Sequence, residues 1–76
     1  MAENVATPEA LGAAIRRRRD DLKMTQDSLA LSIGVNRRVI GQLEAGKGTT
    51  RLSIALSAAR ALGLNVVVEP RGETSA

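Results

Sequence analysis

The chain contains no phenylalanine, tyrosine or tryptophan, no cysteine and no histidine. Without aromatics, which bury the largest areas, any core must rest on Leu, Ile, Val and Ala. The stacking platforms that hold single strands and RNA loops are missing too. Lack of cysteine rules out disulfides, and lack of both cysteine and histidine rules out the usual zinc sites. That usage fits a reducing cytoplasm, the expected location. No apolar run is long enough for a transmembrane helix, and the N-terminus lacks the basic start and apolar middle of a signal peptide. Catalysis finds little footing, with no glycine-rich phosphate loop and only scattered carboxylates. The chain reads as a non-enzyme with no metal and no cofactor.

What is present makes one small domain. At 76 residues and 43% hydrophobic content, the chain lies near the lower limit for a self-sufficient core. Oligomerisation is one of the few reinforcements open to it. The formal charge of +3 and a pI near 10.6 favour a polyanionic partner without naming it.

Apolar spacing and capping signals predict an all-α fold. Residues 1–6 read as a flexible leader. Thr7-Pro8-Glu9 starts a helix, with Thr as N-cap, Pro at N1 and Glu near the positive end of the dipole. Its stripe is Leu11, Ala14, Ile15, Arg18 and Leu22, and it ends near Lys23. Thr25 caps a second helix, Gln26 to Ile33, with Leu29, Ala30 and Ile33 inward. Gly34 supplies the left-handed residue that ends it, and Val35 plugs the corner. Asn36 caps a third helix to Ala45, with Ile40 and Leu43 inward and Gly46 as its stop. Thr50 is the expected cap of a fourth helix that presents Leu52, Ala55, Leu56, Ala59 and Leu62 before Gly63.

The run 64–69, Leu-Asn-Val-Val-Val-Glu, is rich in strand formers and ends at Pro70. A lone strand cannot satisfy its backbone groups. Pairing with the same segment of a second copy would do so, through Leu64, Val66, Val67 and Val68. The alternative is an extension packed on its own domain. The division expected is therefore a helix-turn-helix domain at 7–63, a dimerisation strand at 64–69 and a flexible tail at 70–76.

Two helices hinged at Gly34, the second opening with Arg37 and Arg38, make a candidate DNA reader. At 100° per residue, Arg37, Arg38 and Gln42 fall away from the inward pair Ile40 and Leu43. The N-terminal half of such a helix meets base edges when a helix-turn-helix docks. Arg matches guanine O6 and N7, and Gln matches adenine N6 and N7. A merely solvated face is the competing account of the two arginines. Gln26, Asn36, Lys47, Thr49 and Arg51 are the expected phosphate contacts, which hold register rather than read sequence; a solvated loop competes at Lys47 and Thr49. Gly41 weakens a helix interior, and either close approach of a DNA backbone or simple tolerance accounts for it.

The run Arg16-Arg17-Arg18-Arg19 cannot form one patch, because four consecutive residues spread around a helix. Arg19 is expected to turn inward to Glu44, and the other three to be solvated or to help at long range. A basic membrane-surface helix is disfavoured because the apolar stripe of this helix is needed for the core.

The stretch TQDSLALSIGVNRRVIGQLEAG resembles the Xre/lambda-repressor-like helix-turn-helix family. Thr25, Gln26, Leu29, Ala30, Gly34, Val35, Ile40, Leu43, Glu44 and Gly46 lie on its pattern. The resemblance, from about Leu11 to Gly63, implies a fold of four to five helices that binds double-stranded DNA. It assigns base contacts to Arg37, Arg38 and Gln42, a phosphate contact to Gln26, and a buried structural pair to Arg19 and Glu44. Many members carry Ser where this chain has Gly41, so a side-chain phosphate contact is not carried over there. The ending, from Ala61 to Glu69, resembles HipB-like antitoxins, whose C-terminal strand pairs across a homodimer. That resemblance implies a repressor of its own operon that binds a HipA-like kinase toxin. A stand-alone Xre-family regulator with no toxin is the alternative.

Overall fold

The computed structural model describes residues 3–71 and contains four helices: α1 (Pro8–Asp21), α2 (Gln26–Ile33), α3 (Arg37–Glu44) and α4 (Leu52–Ala61). Three begin on the caps read from the sequence. Thr7 accepts from the Ala10 N–H, Thr25 from the Ser28 N–H and Asn36 from the Arg38 N–H. Each side chain satisfies one of the backbone donors that a helix start leaves over. Gly34 ends α2 at φ 75°, in the left-handed region, where a side chain would be strained. The chain thus turns sharply into α3.

Ile15, Leu29, Ile40 and Leu62 are fully buried, and Ala30, Leu43, Ala55 and Ala58 complete the core. α2 packs on α3 and α4, and α1 packs on α3. The last contact is close. A Cβ on Gly12 would lie 2.3 Å from the Leu43 carbonyl oxygen, so α1 rests on α3 backbone to backbone. Such an approach compensates for a core with no large side chains.

Three details differ from the sequence reading. Thr50 does not cap α4. Its N–H faces the Lys47 carbonyl at 3.3 Å in a turn, its Oγ1 is buried without a partner, and Arg51 occupies the cap position with no side-chain bond. The inward face of α4 is Ala55, Ala58, Ala59 and Leu62, whereas Leu52 is 70% exposed; the i, i+3, i+4, i+7 rhythm starts a turn later than expected. Leu22 is exposed because α1 ends at Asp21 and leaves it beyond the helix.

No strand forms in the single chain among the described residues. The Leu64 N–H donates to the Ala59 carbonyl at 2.9 Å, and Leu64 packs against the core. From residue 65 to residue 71 the chain has no regular structure and makes no ladder, because a strand needs a facing edge. Val66, Val67 and Val68 are all exposed, Val68 at 95%, so packing against the core stops at Leu64, although residues 67–71 line an open cleft with residues 3–6 of the leader. Of the leader and tail inferred from the sequence, residues 1–2 and 72–76 lie outside the described range. None of the described helices is long and apolar enough to cross a membrane.

Candidate nucleic-acid interface

The N-cap at Asn36 fixes which way α3 faces. With Ile40 and Leu43 turned into the core, residues 37, 38, 41, 42 and 45 turn out. Arg37 and Arg38 are exposed and Gln42 is half-buried. Together with Gln26 at the start of α2, they line an open cleft of about 550 Å³ that also takes in Asn36, Gly41, Ala45 and Lys47. Seven of the residues singled out from sequence therefore meet at one place. Thr49 and Arg51 do not line the cleft; both are exposed on the connection to α4. Ala45 lines it unforeseen, although its spacing from Arg38 and Gln42 places it on the same face.

The cleft is electropositive. Arg37, Arg38 and Lys47 are among its lining residues, and no carboxylate of the described residues is. Arg37 Nε lies 3.8 Å from Asp27 Oδ1 across an exposed gap, a pair too open to water to be worth much. Arg38 has no such neighbour among the described residues, and its own backbone N–H is tied to Asn36 Oδ1 at 2.8 Å.

Behind the cleft lies a buried polar network. Arg19 donates twice to Glu44, Nε to Oε2 at 2.6 Å and Nη2 to Oε1 at 3.0 Å. Its Nη1 donates to the Met24 carbonyl at 2.7 Å. Gln26 Nε2 adds a hydrogen bond to Glu44 Oε1 at 3.0 Å. Burial pushes the Glu44 carboxyl up. The hydrogen bonds from Arg19 and Gln26, with the charges of Arg19 and Arg16, outweigh it, and Glu44 titrates below the ordinary glutamate range. The hydrogen bond to Glu44 raises the Arg19 guanidinium in turn, against the opposing effect of burial. This network joins the end of α1, the start of α2 and the end of α3, so it locks the angle of the exposed helix face.

The other arginines of α1 are not simply solvated. Arg18 is half-buried and its Nε donates to the Leu62 carbonyl at 2.8 Å, closing the C-terminal end of α4. Arg17 pairs with Glu3 of the leader. Arg16 alone stays on its own helix, 3.9 Å from Asp20.

Known proteins share this fold. A profile described as helix-turn-helix matches residues 15–68. An uncharacterized HTH-type transcriptional regulator, y4mF of Sinorhizobium fredii, is 37% identical over 73 residues, 96% of each chain. A chain of a solved HipB-O4 20mer complex has the same fold, with TM-score 0.83 and 23% identity, over 91% of this chain and 97% of that one. A chain of a HipA-HipB-O2-O3 complex matches with TM-score 0.84 at 23% identity, again over 91% and 97%. The profile and the close relative agree with the capped two-helix corner at Gly34: the chain belongs to the helix-turn-helix family, the Xre-like group of DNA-binding regulators.

Proposed function

We propose that this chain is a repressor that binds duplex DNA sequence-specifically, as a homodimer, with the outer face of α3 in a major groove. One observation carries the reading: the cleft along α3 gathers Arg37, Arg38, Gln42 and Lys47 with no carboxylate of the described residues among its walls. Arg37 and Arg38 are assigned to guanine edges and Gln42 to an adenine edge. Gln26, Asn36, Lys47, Thr49 and Arg51 hold flanking phosphates. In the dimer, Leu64, Val66, Val67 and Val68 of each copy pair across the two-fold axis. That pairing covers the exposed valines and gives their backbone groups partners. Two copies then set their α3 helices about 34 Å apart, one turn of DNA.

The test is binding of the full chain to duplex from its own promoter, measured against salt. Affinity should fall steeply as salt rises, because each neutralised phosphate releases counterions; a flat profile ends the duplex reading. Dimerisation is tested separately by sedimentation after removing residues 65–76, which spares Leu64. A chain that stays dimeric refutes the shared strand.

A second reading joins the first, favoured by the likeness to a chain of a HipA-HipB-O2-O3 complex. In it the chain is the antitoxin of a toxin-antitoxin operon, represses that operon and sequesters a HipA-like kinase toxin. Stoichiometric co-purification with a kinase encoded next to it supports this. Repression that is complete in a cell without such a kinase favours a stand-alone regulator.

A further inference from the structure

Gln26 has only one way to sit. Its carboxamide meets Glu44 Oε1 at 3.0 Å, and Glu44 is clamped by both nitrogens of Arg19. A carboxylate so paired only accepts, so the NH2 of Gln26 faces it and the carbonyl oxygen faces away. That oxygen lies over the backbone of Gly41. A Cβ at Gly41 would meet it at 4.0 Å and would meet nothing else nearer. The surrounding side chains mostly donate. Arg37, Arg38 and Lys47 have no acceptor, and Asn36 commits its Oδ1 to the Arg38 N–H. Gln26 therefore offers an acceptor fixed in direction by Glu44, uncovered because residue 41 has no side chain. Besides Asn36, Gln42 is the other lining side chain with a carboxamide oxygen, and among the described residues no bond to Glu44 fixes it.

The geometry points to a slot, formed by Gly41 and Gln26, that takes an exocyclic amino group of a base, with the N–H donating to Gln26 Oε1. In the major groove such amino groups belong to adenine and cytosine. A phosphate oxygen, itself only an acceptor, cannot fill this slot; the second amide N–H of Gln26 remains free for the phosphate. Gln26 is thus a specificity-determining residue, and Glu44 and Arg19 are the positioning residues that aim it. This rests on the duplex-binding reading above.

The full chain is first used to select from a pool of randomised duplexes. Affinity is then measured for every single-base-pair variant of the selected duplex, with wild type, Gln26→Met and Gly41→Ser. Wild type should prefer an amino-bearing base at one position by about five- to tenfold, the worth of one hydrogen bond. Both variants should flatten that position and leave the others unchanged. In Gly41→Ser the new hydroxyl occupies the slot. A second measurement leaves the protein untouched: replacing that base by its analogue without the amino group should weaken wild type by the same factor. Gln26→Met should not respond to this change. A base preference at that position that survives Gln26→Met, or indifference of wild type to the missing amino group, overturns the slot while duplex binding stands; a uniform loss added to the flattened position reports the phosphate contact of Gln26. Failure of wild type to enrich any sequence would take both readings down.

Discussion

On α1, four consecutive arginines turn in different directions: Arg16 to Asp20, Arg17 to Glu3, Arg18 to the carbonyl of Leu62, and Arg19 to Glu44, with Asp20 also within 3.4 Å of Arg19. On α3, two consecutive arginines share one open wall, with one distant carboxylate, Asp27, near Arg37. The residue type is the same, and the difference is angular. Four positions sweep about 300° of a helix, whereas two adjacent ones after a cap stay within about 100°. A long basic run on a helix therefore distributes its charges over several neighbours, and a short one at a helix start concentrates them. The louder signal in the sequence builds the scaffold, and the quieter one makes the exposed surface.

Substitutions can break this contrast. Arg19→Ala should have the largest effect, destabilising the fold by about 3–5 kcal/mol because it leaves Glu44 buried and unpaired. That is a large share of the stability of a small domain. Urea titration followed by far-ultraviolet circular dichroism measures it; a loss below about 1 kcal/mol would put Arg19 in the same class as Arg37. The same pair predicts the acid response. Glu44 titrates lower in the folded chain, so its contribution is complete above the unfolded value of about 4.3. It vanishes as pH falls through the lower folded value. The acid limb of the wild-type stability curve should shrink in an Arg19→Met, Glu44→Leu double variant.

Arg38→Ala should do the converse. Specific binding weakens by about 1–3 kcal/mol while the melting temperature stays where it was. Equal losses on specific and random duplex would make Arg38 a phosphate contact. Arg18→Ala comes next, at about 1 kcal/mol of stability for a lost charged hydrogen bond to Leu62, with DNA affinity following only as far as the tail is disturbed. Arg16→Ala should fall within about 0.5 kcal/mol of wild type in denaturation. A larger effect there would mean that the run acts as a unit after all.

What could be read from sequence follows the range of each interaction. The caps at Thr7, Thr25 and Asn36 bond two or three residues ahead, and Gly34 acts at its own position, so these were legible. The outward placement of Arg37, Arg38 and Gln42 follows from Ile40 and Leu43 alone. The Arg18 bond to Leu62 spans 44 residues and depends on where two helices happen to cross, which no local pattern reports. Thr50 has the chemistry of a cap, but a turn to Lys47 draws it in before the helix can begin. Gln26 was legible as a cleft residue; the direction of its amide was not, because Glu44 sets that from another helix.

Gly12 carries a consequence for genetics. Since α1 lies against the last turn of α3 with no space for a methyl group, every substitution there must push α3 out of place. A reporter screen for lost regulation would return Gly12 beside Arg38. A map drawn from those phenotypes would then spread the contact surface onto a helix that stands behind it.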